Sequence, residues 1–116
     1  MIQRQLIFVF FSFFSYCGFA QTQAEQNQEA INEYKKADAE LNSVYKQLTK
    51  YLNESERQLL IKAQKDWLKF RDSHCDFEAA EFAGGTIQPL IRTTCLTEST
   101  KKRIDDLKGS LEFRKN

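Results

Sequence analysis

From Ala30 to Leu52 the apolar side chains fall at Ile31, Tyr34, Ala37, Leu41, Val44, Tyr45, Leu48, Tyr51 and Leu52, in steps of three and four. That spacing draws one stripe along a helix and leaves no strand-like alternation. No Gly or Pro interrupts it. Asn53-Glu54-Ser55-Glu56 follows, an Asn cap with Glu three residues on, which starts a second helix. This one runs to about Ala83, where Gly84-Gly85 supplies a stop. Leu60, Ala63, Phe70, His74 and Phe77 share a strip with Trp67, and Ile61, Leu68, Cys75 and Ala79 form a second strip about 80–120° away. Two apolar sides assign the second helix to the middle of three. Gly84 to Pro89 is the main loop. A third helix, from about Leu90 to Phe113, carries Ile91, Cys95, Ile104, Leu107 and Leu111, and its polar middle, Thr97 to Lys102, is where a bend is expected. The expected fold is all-α: a three-helix antiparallel up-down-up bundle tied by one disulfide.

The chain is 116 residues long, and its beginning reads differently from the rest. Six of the ten Phe lie between Phe8 and Phe19, inside an uncharged run from Leu6 to Ala20. With Arg4 before it and small Gly18 and Ala20 at its end, residues 1–20 read as a secretory signal cleaved after Ala20. The run is short for a membrane span, which needs about 20 apolar residues. Retention as an anchor and lipidation at Cys17 stay open, although bulky Tyr16 precedes that cysteine. Residues 21–29 read as a flexible, Gln-rich lead into a domain at 30–113. Without Arg4, 16 basic side chains face 16 acidic ones. A chain so balanced lacks the basic excess that nucleic acid requires. Its size suits one domain with one core and excludes a large cofactor-binding fold.

Export leaves two cysteines, Cys75 and Cys95, and a lone pair in an oxidising compartment is most simply a disulfide. A metal site needs more ligands, and His74 is the only histidine, so no metal and no cofactor are expected. Both cysteines stand ten residues from position 85, where a hairpin of the second and third helices brings them side by side. Asp38 and Arg71 are placed equivalently about the first turn and fall on apolar stripes. A charge there needs a partner. An Asp38–Arg71 ion pair is therefore expected, with Arg103 or Glu78 near it.

Asp38, Arg71, His74 and Glu78 also admit an acid/base reading, with His74 as general base. No nucleophile accompanies them, since Ser73 and His74 point about 100° apart on a helix. Gly84-Gly85-Thr86 lacks the lysine and strand-to-helix setting of a phosphate loop. These residues read as interhelical ties, and the chain as no enzyme. Trp67, Phe70 and Phe77 read as core aromatics, and Lys101-Lys102-Arg103 as a solvated face.

Several of these residues together resemble a known family. Ala37-Asp38, Glu40-Leu41-Asn42, Tyr45 and Leu48 are followed by Ala63-Gln64, Trp67, Phe70-Arg71-Asp72 and Cys75, and after Gly84-Gly85-Thr86 by Cys95, Thr100, Arg103 and Leu107. From Ile31 to Leu107 the chain resembles the lysozyme inhibitor LprI-like family of exported bacterial proteins. The resemblance implies a small disulfide-tied helical domain of the cell envelope, periplasmic or secreted. Trp67, Arg71, Cys75 and Cys95 match as framework residues. It also implies a protein partner, lysozyme by the family's name; an adaptor that binds another envelope protein or a cell-wall component is the alternative. If lysozyme is the target, the expected route is occlusion of a cleft whose chemistry uses two carboxylates. The loop Gly84, Gly85, Thr86, Ile87, Gln88, Pro89 is the expected binding element, because a nearby disulfide holds it.

Overall fold

The computed structural model describes residues 11–116, with side chains from Thr22 onward. Of the segment read as a signal, residues 1–10 lie outside the described residues, and no side chain of the rest, Cys17 included, is described. Among the described residues there are three helices: α1 (Phe11–Thr49), α2 (Glu54–Ala80) and α3 (Gln88–Lys115). No strand occurs among the described residues. The lead at 21–29 is not a flexible segment but part of α1. Its Gln and Glu side chains favour the helical backbone well enough to continue it. Gln23 also reaches the distant Thr86 hydroxyl, which accepts a 3.1 Å hydrogen bond from its amide.

The turn between α1 and α2 is built from side chains that satisfy helix ends. Past Thr49 the amides of Lys50 and Tyr51 donate to the carbonyls of Gln47 and Leu48, and the Arg57 guanidinium donates to the Thr49 carbonyl at 3.2 Å. Asn53 then caps α2: its side-chain oxygen accepts from the Glu56 amide at 2.8 Å, and the Glu56 carboxylate accepts from the Asn53 amide at 3.1 Å. Both orphan donors are thereby satisfied. That amide hydrogen bond and then the Arg114 guanidinium hold the Glu56 carboxyl below its ordinary 4.5.

The second turn follows Ala80 as a run of tight backbone bonds through Gly85, with Gly84 at φ 79°, a region that favours glycine. Across it the contacts of α2 and α3 pair symmetrically: Asp76 with Arg92, Cys75 with Cys95, Arg71 with Thr100, Gln64 with Arg103 and Glu56 with Arg114. Each midpoint lies within about two residues of position 85, as an antiparallel pair with equal rise per residue requires. The Cys75–Cys95 disulfide is formed, with the two Cα atoms 5.5 Å apart.

The core lies between α1 and α3, which run parallel. Leu41, Val44, Leu48 and Leu52 interlock with Ile104, Leu107 and Leu111, each worth about 1.5–3 kcal/mol of burial. Tyr45, Leu60 and Trp67 pack against this cluster. The helix that packs against both others is α3, not α2 as its two apolar strips suggested. The buried residues of α2 are Arg71, Cys75 and Ala79, a single i+4 row. Small side chains in that row and at Thr97 and Thr100 let α2 and α3 approach closely. Helix α3 is also unbroken through Thr97–Lys102. Thr97 returns its hydroxyl to the Thr93 carbonyl at 3.2 Å, and Thr100 bonds to Arg71, so both polar residues are buried without a bend.

Three outcomes test this account. Replacing Cys75 and Cys95 together by Ala should cost about 3 kcal/mol in urea denaturation, given a loop of about 20 residues; an unchanged midpoint contradicts it. Arg71→Ala should cost about 2–4 kcal/mol by stranding Thr100 and emptying the stem's site, and Arg71→Met, which keeps the stem, should cost less. Because the folded-state value of Glu56 is lowered, its contribution is complete above the ordinary 4.5 and is lost as pH falls through and below it. Stability of Glu56→Gln should therefore fall less than that of the parent between neutral pH and about pH 3.

Candidate interaction surface

Arg71 is the most heavily used side chain in the domain and is only 6 % exposed. Its guanidinium pairs with Asp72 at 2.9 Å and donates to the Thr100 hydroxyl at 3.4 Å. It also lies 5.6 Å from the Tyr34 ring centroid and 5.3 Å from that of Trp67. Trp67 is flanked as well by Arg103, at 5.8 Å, whose Nε donates to Gln64 at 3.0 Å. A buried cation thus gains an anion, a hydroxyl and two π faces, which together offset its desolvation. The expected Asp38–Arg71 pair is not formed. Asp72 is one residue away on the same helix and reaches the guanidinium first, while Asp38 is half-buried with no ion pair among the described residues. Neither Glu78 nor Arg103 completes such a pair.

Phe70 is the second correction. It lies on the outside of α2, stacked on the His74 ring with centroids 5.5 Å apart, and Phe77 is exposed on the same side. Only Trp67 of that aromatic row turns inward. His74 sits 3.8 Å from Glu78 on an open helix face, where both side chains are substantially exposed. This is the geometry of an i,i+4 surface pair rather than of a base held against a substrate. Among the described residues no group of His, Cys, Asp and Glu is placed to hold a metal ion, and no helix is long and apolar enough to cross a membrane.

The loop at the far end of the hairpin is shorter than its sequence suggested. Gln88 and Pro89 are already helical, with Pro89 in the first turn of α3, where its missing amide hydrogen costs nothing. What remains, Glu81 to Ile87, is exposed throughout and presents Phe82 and Ile87 to solvent beside Gly84, Gly85 and Thr86. It is held on two sides. Gln23 ties Thr86 to α1, and behind it Arg92 pairs with Asp76 at 2.7 Å next to the disulfide.

Two open clefts complete the surface. One, of about 280 Å³, lies between the start of α2 and the end of α3 over Leu52, Leu60 and Leu107. The other, of about 490 Å³, lies between α1 and α3 and is rimmed by Glu29, Glu33, Glu98 and Lys101. Both offer apolar and charged contact area. The roles of Thr100 and Gln23 were not read from the sequence. Thr100 carried a signal nonetheless, since Leu96, Thr100, Ile104, Leu107 and Leu111 follow one another in steps of four and three, which puts its hydroxyl on the buried stripe. Nothing local marked Gln23.

The family model described as Lysozyme inhibitor LprI matches residues 17–107 of the chain. A relative from Rhizobium meliloti (strain 1021), the uncharacterized protein R02472, is 32% identical over 113 residues, covering 86% of this chain and 81% of its own. No solved structure matches the chain. The length of the family match, on a helical domain with its paired cysteines joined, places this chain in the LprI family of lysozyme inhibitors.

Proposed function

We propose that this protein is an exported, non-catalytic inhibitor that binds lysozyme through the loop end of the α2–α3 hairpin and blocks its cleft. In this reading the signal is removed after Ala20 and the mature domain works in the periplasm or outside the cell. Membership of an inhibitor family supplies the class of partner. The observation that carries the site is the loop itself: Glu81 to Ile87 is exposed, offers Phe82 and Ile87, and is anchored by the Cys75–Cys95 bond and the Gln23–Thr86 contact. An anchored loop has little ordering entropy left to lose on binding. A cleft that works with two carboxylates is disabled once its substrate groove is filled, so no reaction by the inhibitor is needed.

Protection of cell-wall suspensions from lysozyme, followed by turbidity, tests the proposal. The purified mature domain should protect at micromolar concentration. Scrambling Thr86–Gln88, or replacing Phe82 and Ile87 together by Ser, should weaken protection at least about tenfold, the loss of a few apolar contacts. Full protection by both variants sinks the loop as the binding element. No protection by the parent protein points instead to an adaptor for another envelope protein or wall component.

A further inference from the structure

Along α2, Leu59, Ala63, Phe70 and Phe77 form one strip about 145° from the buried row Arg71, Cys75 and Ala79, and its first two members also border the open cleft over Leu60 and Leu107. Leu59, Phe70 and Phe77 are 67 %, 62 % and 73 % exposed. Three large apolar side chains in line on a single helix make a patch of the size that on a monomer is often functional. Their order has a property of its own: Phe70 stands midway between Ala63 and Phe77, seven residues from each.

We propose that this strip is a self-association surface on which two copies of the domain pair, with their α2 helices antiparallel about a two-fold axis at Phe70. In a two-fold contact the same patch serves both partners. The axis sets ring against ring at Phe70 and seats each Phe77 over the small Ala63 of the second copy, about 10.5 Å to either side. Large meets small at both ends, which a strip of uniform side chains would not provide. His74, stacked beneath Phe70, fixes the plane of the central ring. Along one edge, the Ser73 hydroxyl of each copy comes beside the Asp66 carboxylate of the other, a donor facing an acceptor; Lys62 already holds that carboxylate at 2.8 Å.

The size of the strip sets the strength. A phenylalanine presents about 150–250 Å², so the exposed parts of Phe70, Phe77 and Leu59 amount to a few hundred Å² per copy. Two such faces with their polar margins reach only the low end of specific interfaces, about 1,200 Å² in total. The pairing is therefore weak and reversible. It is independent of the lysozyme reading, which concerns the loop.

Sedimentation velocity on the exported protein, from about one to several hundred micromolar, reads the equilibrium. The expected result is a concentration-dependent dimer, lost in Phe70→Glu and weakened at least tenfold in Ala63→Phe, whose new ring fills the seat of Phe77. Phe77→Ser serves as a second disrupting variant, and unchanged helical circular dichroism establishes that each variant is folded. Phe70→Cys should cross-link to itself under mild oxidation, while Phe113→Cys, more exposed still at the end of α3, should not. A monomer throughout the range, a dimer indifferent to Phe70→Glu, or equal cross-linking at both positions overturns the proposal.

Discussion

The fixed register between α2 and α3 is the constraint on which the rest of this domain depends. A glycine turn folds the chain back on itself, and every polar or covalent contact between the two helices then falls at mirrored positions about that turn. The disulfide locks one rung of this ladder, and the buried Arg71–Thr100 contact lies one helical turn along. Without the register, Arg71 would lose its hydroxyl partner, and burial of that charge would become costly. Trp67, held between Arg71 and Arg103, would lose the guanidinium planes that position it against the core.

Because α3 is pinned to α2 on one side and packed against α1 on the other, α2 acts as a strap. It contributes a narrow buried row, Arg71, Cys75 and Ala79, and leaves most of its circumference in solvent. This accounts for the apolar side chains found outside. They are not left over from an incomplete core, since the α1–α3 seam is filled by leucine, valine and isoleucine. A small helical protein with a full core and a separate exposed apolar strip has surface to spend on partners. The arrangement therefore agrees with a role in binding.

Much of this was legible in the sequence, and the failures have a common origin. Periodicity exposed the helices, the Asn53–Glu56 spacing announced the capping box, and equal distances from position 85 announced the disulfide. Periodicity does not say which apolar face is chosen when a helix has two. Helix α2 offered strips through Trp67 and through Cys75, and the fold draws on both: Leu60 and Trp67 pack against the α1–α3 core and Cys75 and Ala79 are buried, while Phe70, Phe77, Ile61 and Leu68 stay exposed. Thr97 and Thr100 are likewise buried, although their polarity suggested an interruption. The Asp38–Arg71 pair failed because a neighbour on the same helix outcompeted a carboxylate across the interface. The proposed interaction surface was legible only in part: the loop was recognised from its glycines, whereas its tie to Gln23 spans 63 residues and leaves no local trace.

In the proposed function a covalently fixed hairpin, rather than any single chemical group, carries the binding. Lysozyme affinity measured by calorimetry on one preparation, before and after selective reduction of Cys75–Cys95, tests this most directly. The account predicts that the reduced protein stays helical but binds at least about tenfold more weakly, because its loop must then be ordered on binding. Equal affinity in the two states would contradict it.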